Sequence, residues 1–193
     1  MPLNADTFTA IALGIALSAA AGFRVFIPLL GASIASMMHW VQLPAEMSWI
    51  GSWPALICFG TAAIAEMTAY YIPFIDNLLD TLATPTAIGA GTLLAYSIFP
   101  AGENDTLVKW VLAFIAGGGS AGILQAGTGL LRLFSTKTTA GTGNAVVATA
   151  ENAAAVASVS LSFVIPFIVA FVLIILIGWI IMKIVKRLFA SGK

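Results

Sequence analysis

Hydrophobic positions along the chain fall into long runs separated by short polar connections, without the alternating or amphipathic stripes of a soluble domain. The charges divide the runs. Positions 110–131, between Lys109 and Arg132, carry none, and 152–182 form a second chargeless stretch. The pattern predicts six hydrophobic units, at 7–38, 52–73, 84–100, 107–134, 143–160 and 162–188. A helical crossing of a bilayer takes about 20 apolar residues, and the connections leave no room for a soluble domain. The expected fold is all-α: a polytopic transmembrane helix bundle of about six membrane-embedded units, formed as a single domain by residues 1–193.

Two units are expected to be broken or re-entrant. As one straight helix, 7–38 would run about 48 Å, against a hydrocarbon core of about 30 Å. Ala19-Ala20-Ala21-Gly22 and then Arg24 interrupt it. In the fourth unit the run Gly117-Gly118-Gly119-Ser120-Ala121-Gly122 falls mid-segment. Glycine runs weaken helices, and broken backbone survives in a bilayer only where protein or water covers it. Close helix packing through small residues is the other reading of the glycine run. Each half, 7–100 and 107–188, opens with such a unit and carries a glutamate in its second unit, Glu66 and Glu151. That arrangement suggests an inverted repeat, a plan common among transporters.

Composition narrows the class. Hydrophobic residues make up 60%, charged residues 8%, mean hydropathy is +1.04 and net charge is zero. Soluble domains carry about 25% charged residues, so a soluble enzyme, a disordered tail and a nucleic-acid binder are excluded. The lone Cys58 reads as a small buried hydrophobe, and His39 beside Trp40 as an interfacial residue. No metal-ligand spacing, dinucleotide, Walker or nucleophile-elbow motif is present. The start of the chain lacks Lys and Arg before its apolar core and carries Asp6, so it reads as a retained first segment, not a cleaved signal. Lys183, Lys186, Arg187 and Lys193 at the end, with Arg132 and Lys137 flanking 135–143, mark the cytoplasmic side. Glu46, Glu103, Asp105 and Lys109 would face outward beside a belt of Trp40, Trp49, Trp53 and Trp110. Both termini are then expected in the cytoplasm.

The chemistry rests on charges inside apolar units. Arg24, Glu66 and Glu151 each cost about 2.5–3.5 kcal/mol on insertion scales. An ion pair between Arg24 and one glutamate is the simple reading. It leaves one carboxylate over, which would be protonated or hold a cation. Asn144 lies seven residues before Glu151, on one helix face, and Asn152, Gln125 and Thr149 could join the same polar patch. Asp76 and Asp80 are four apart in a segment between Pro73 and Pro85, read as a short amphipathic surface helix and either solvated or a cation-attracting mouth. The connection 135–144 around Lys137 reads as a loop with Asn144 as N-cap, or as an anion-attracting nest. The basic stretch 183–189 reads as headgroup snorkelling.

GFRVFIPLL at 22–30, Glu66 followed by IPFIDNLLDTLATP at 72–85, and GTGNAVVATAEN at 141–152 resemble a family of small bacterial integral membrane proteins defined by a domain of unknown function, number forty-one twenty-six. The resemblance spans most of the chain. It implies an inner-membrane location and no established activity. Its motif positions here are Arg24, Pro28, Glu66, Asp76, Asp80, Asn144 and Glu151. The family pattern has an acidic pair where this chain reads Glu151-Asn152. The sequence reading is a transporter or channel for a small solute, ion or lipid-linked cargo, without cofactor, metal or catalytic residues. Its partners would be membrane lipids, the solute and a second copy of the chain. A membrane scaffold is the alternative, and an intramembrane lipid-modifying enzyme the remotest reading.

Overall fold

The computed structural model describes residues 5–100, 106–139 and 141–190, with side chains except at 5, 73–74, 76–78 and 187–190. Every regular element among them is helical. These are α1 (Ala5–Ala20), α2 (Phe26–Met37), a 3₁₀ segment (Ala45–Gly51), α3 (Trp53–Ala69), α4 (Pro73–Ile98) and α5 (Thr106–Leu112). A π-helical segment (Ala113–Gly118) follows α5 and runs into α6 (Gly119–Thr139), then α7 (Asn144–Ser162) and α8 (Pro166–Ala190). Three helical runs are long and apolar enough to cross a membrane: Thr106–Thr139, Asn144–Ser162 and Pro166–Lys186. The 3₁₀ segment and α3, bent by 59°, make a fourth if they act as one span. The outer faces are apolar: α8 exposes Phe167, Ile168, Phe171, Val172, Ile174 and Ile175.

The first unit is broken where expected. The last turn of α1 tightens, with Gly22 N–H donating to Ala19 O at 2.9 Å and Phe23 N–H to Ala20 O at 3.0 Å. A Cβ at Gly22 would lie 2.5 Å from Ala121 O and from Leu124 Cβ, so only glycine lets the turn press against α6. The halves of this unit double back. Gly14 of α1 packs beside Ile98 and Phe99 at the end of α4, and Ser18 Oγ donates to Gly91 O at 2.8 Å. Gly31 of α2 packs on Val159 and Phe163 at the end of α7. The start of α1 and the end of α2 therefore point to the end of the bundle where α4 and α7 finish, and residues 21–25 form the tip of a hairpin.

Three expectations are corrected. Cys58 is exposed on α3 and not buried. The fourth unit does not break at its glycines: Thr106–Thr139 is one 34-residue helical run, widened by the π turn. Its glycines serve close packing. A Cβ at Gly91 would sit 2.6 Å from Gly117 O and 2.7 Å from Ala121 Cβ, so α4 and the π segment touch nearly backbone to backbone. The halves thus differ at the feature that suggested a repeat. The segment between Pro73 and Pro85 is no separate surface helix either. Pro73 opens α4, which passes through Pro85 to Ile98. Proline at the first turn costs no hydrogen bond, and the chain beyond Pro85 is held by the packing on α1 and α6.

Buried alanines at 16, 19, 20 and 21 and Leu17, all at 0% exposure, place α1 at the centre. One apolar cluster joins Leu17, Phe23, Leu124, Val159 and Leu173. A second joins Leu29, Ile50, Phe59, Leu94 and Tyr96.

Gly91→Ala should destabilise the protein by about 1–3 kcal/mol through overpacking. Gly119→Ala, where a Cβ meets nothing within 4 Å on helical backbone, should stabilise it by about 0.4–1 kcal/mol. Unfolding of the two variants in detergent checks the contrast; equal effects would contradict the packing described.

Candidate functional site

The hairpin tip leaves helix ends inside the protein, and charged side chains meet them. The first N–H groups of a helix have no partner of their own and carry a partial positive charge. At α2, Val25 N–H donates to Glu66 Oε1 at 2.9 Å and Phe26 N–H to Glu66 Oε2 at 3.0 Å. A carboxylate from α3 thus caps a helix forty residues away in sequence. At the carbonyl end of α1 the Arg24 backbone N–H donates to Ala20 O at 3.3 Å, and the Arg24 side chain donates from Nη1 to Phe23 O at 3.2 Å.

The Arg24 side chain is 1% exposed. Its Nε donates to Asn152 Oδ1 at 2.5 Å, Nη1 to Glu151 Oε2 at 2.8 Å and Phe23 O at 3.2 Å, and Nη2 to Ala148 O at 3.3 Å. Arg132, from α6, grips the same carboxylate: Nε donates to Glu151 Oε1 at 3.1 Å and Nη2 to Glu151 Oε2, while Nη1 reaches Asp80 Oδ1 at 2.6 Å. The Arg132 and Glu151 side chains are 2% and 4% exposed, and that of Asp80 28%. Both guanidinium carbons lie against the Tyr70 ring, at 4.0 and 3.9 Å from its centroid. Desolvated cation–π contacts of this kind contribute about 2 kcal/mol. Above the cluster Asn152 Nδ2 donates to Tyr71 Oη at 3.4 Å, and Tyr71 Oη and Thr149 Oγ1 share a hydrogen bond of 2.9 Å.

Helix periodicity accounts for the convergence. Ala148, Glu151 and Asn152 share one face of α7, and Glu66 and Tyr70 stand one turn apart at the end of α3. On α6, Gln125, Thr128, Arg132 and Ser135 are all buried at spacings of three and four. Two cations and three carboxylates result. Glu151 balances parts of both arginines, Asp80 completes Arg132, and Glu66 is compensated by the α2 amide dipoles.

Arg24, Glu66, Glu151, Asn152 and Asp80 are therefore brought together, and Arg24 pairs with Glu151. The carboxylate left over, Glu66, is held by backbone N–H groups. Gln125 is buried on α6, about two turns from Arg132. Lys137 is exposed. Asn144 stands apart: its amide bonds Thr136 Oγ1 at 3.0 Å. It is not the N-cap of α7, which falls at Gly143 with no side-chain cap bond. The Asp76 side chain lies outside the described residues. Sequence reasoning misses Arg132 and Tyr70 as site residues. It uses Arg132 only as a flank of the 135–143 connection that marks the cytoplasmic side, whereas the side chain is buried within the cluster. The polar stripe on α6 is the signal that could reveal it. Among the described residues no group of three or more His, Cys, Asp or Glu side chains could hold a metal ion.

The family described as Domain of unknown function (DUF4126) matches residues 11–186, and the chain belongs to it. No curated protein and no solved structure matches the chain.

Glu151→Gln leaves two buried guanidiniums facing a neutral amide and should cost about 3–5 kcal/mol. Glu66→Gln keeps one acceptor for the α2 N–H groups and should cost about 1–3 kcal/mol. Denaturant titration in detergent measures both. A Glu151→Gln loss below about 1 kcal/mol would mean that the carboxylate does not bridge the arginines.

Proposed function

We propose that this member of the DUF4126 family is a transporter or channel for a small solute or ion in the bacterial cytoplasmic membrane, with the Arg24–Glu151–Arg132–Asp80 cluster as its polar site. The observation that carries the reading is a doubly bridged, buried carboxylate at the tip of a broken hairpin. Apolar side chains of similar volume hold a bundle together as well as or better than a buried ion network. Discontinuous helices whose ends meet charges near mid-bundle are the plan by which transporters build sites.

In this reading α1 and α2 form a re-entrant unit and α3, α4, α5–α6, α7 and α8 cross the bilayer, six embedded units in all. Five crossings put the basic end of α8 in the cytoplasm and the start of α1 on the opposite face. This revises the expectation of two cytoplasmic termini, because the first unit returns to the side it came from. The Trp49 and Trp53 side chains, both exposed, then mark the outer interface. Asp80 and Arg132 tie α4 to α6, while Arg24 and Glu151 tie the tip to α7. Exchange of partners among these pairs supplies a two-state element of the kind that opens and closes an access path. The proton or cation link expected of the carboxylate left over from the Arg24 pair would fall on Glu66, which the α2 N–H groups hold.

Reconstitution tests the reading. Vesicles carrying the protein should pass protons, potassium or small anions faster than protein-free vesicles, and Glu151→Gln should change that flux by about tenfold or more. Equal leak in all three preparations, with the protein folded, would leave the scaffold reading in its place.

A further inference from the structure

The three carboxylates of the cluster all occupy seats built for an anion. Glu66 sits on two backbone N–H groups at a helix N-terminus, a standard anion-binding geometry. Glu151 lies in the fork of two buried guanidiniums. Asp80 Oδ1 accepts from Nη1 of Arg132 at 2.6 Å. Guanidinium forks match the planar, multidentate oxygens of carboxylate and phosphate. The occupants differ in exposure: the Glu151 side chain is 4% exposed, that of Asp80 28%. Asp80 is thus the occupant that a ligand from outside can replace without first unpacking the core, while Tyr71, Thr149 and Asn152 form a polar group on the Arg24 side of the cluster.

We infer that the site takes an oxyanion, a phosphate or carboxylate group, which displaces Asp80 from Arg132. The inference rests on the transport reading for its purpose but not for its test, since it concerns binding. The Asp80 carboxylate stands in for the oxygens of the ligand. Arg132 is the residue that touches the incoming group, Tyr70 holds the two guanidiniums flat, and Glu151 keeps Arg24 paired while Asp80 swings away. The group can arrive on a free solute or on a lipid.

Thermal unfolding of the full chain in neutral detergent, at constant ionic strength set with chloride, reads the binding. Inorganic phosphate should raise the midpoint saturably in the wild type. Asp80→Asn removes one internal competitor and should lower the half-saturating phosphate concentration about fivefold. A purely structural Asp80 would give the opposite, a less stable protein with no gain in anion response. Arg132→Lys, which keeps the charge and loses the fork, should abolish most of the response. If free phosphate gives no shift but phosphatidylglycerol does, relative to phosphatidylcholine, the oxyanion belongs to a lipid headgroup. Absence of a saturable shift with phosphate and with phosphatidylglycerol, in both wild type and Asp80→Asn, overturns the inference. Cation flux through vesicles without any anion response would do the same while keeping the transport reading. Anion binding without flux would keep the site and remove transport.

Discussion

One carboxylate, that of Glu151, is shared by two arginines from different parts of the chain, and the architecture around it depends on that sharing. Arg24 comes from the hairpin tip, Arg132 from α6, and Glu151 from α7. Moving three charges out of water is costly, by several kcal/mol per ion even after relaxation. The cost is offset only when nearly every donor and acceptor is matched, and here most are: Asn152, Ala148 O and Phe23 O take three of the other four Arg24 protons, and Asp80 takes one from Arg132. A bundle packed by alanine and glycine brings the backbones close enough for those bonds to be short.

The hairpin poses a second problem, solved with the same materials. A helix that stops inside an apolar body exposes amides at one end and carbonyls at the other. Glu66 answers the amides of α2, and Arg24 lies beside the carbonyl end of α1, each charge on the side that the helix dipole favours. The charged residues thus do double duty. They complete the broken backbone, and they gather at the tip the only large concentration of charge that the described residues bury.

Much of this is legible in the sequence, and the reasons are local. The break at Gly22–Arg24 can be read because a glycine followed by an arginine, deep in an apolar run too long for one crossing, is poorly accommodated by a continuous helix. Arg24, Glu66 and Glu151 stand out by the cost of their placement. The glycines at 117–119 mislead, because a glycine run looks the same whether it breaks a helix or lets another helix approach; only Gly91, more than twenty residues earlier, decides between them. Pro85 misleads for a similar reason, since its neighbours in space keep α4 going. Arg132 is hidden by its position near the end of an apolar run, where arginines are usually solvated. The direction of the first unit cannot be read at all, because a hairpin and a kinked crossing share one hydrophobic pattern. What the cluster binds is likewise absent from the pattern and enters only with the geometry of the guanidinium forks.

The account stands or falls on Arg24 and Glu151 interacting as a buried pair. A double-mutant cycle with Arg24→Gln, Glu151→Gln and the two combined, read by equilibrium unfolding in detergent, measures that interaction alone. A coupling of about 2 kcal/mol or more is expected for a pair matched this closely. Additive effects, within about 0.5 kcal/mol, would place the hairpin tip away from α7 and contradict the arrangement described.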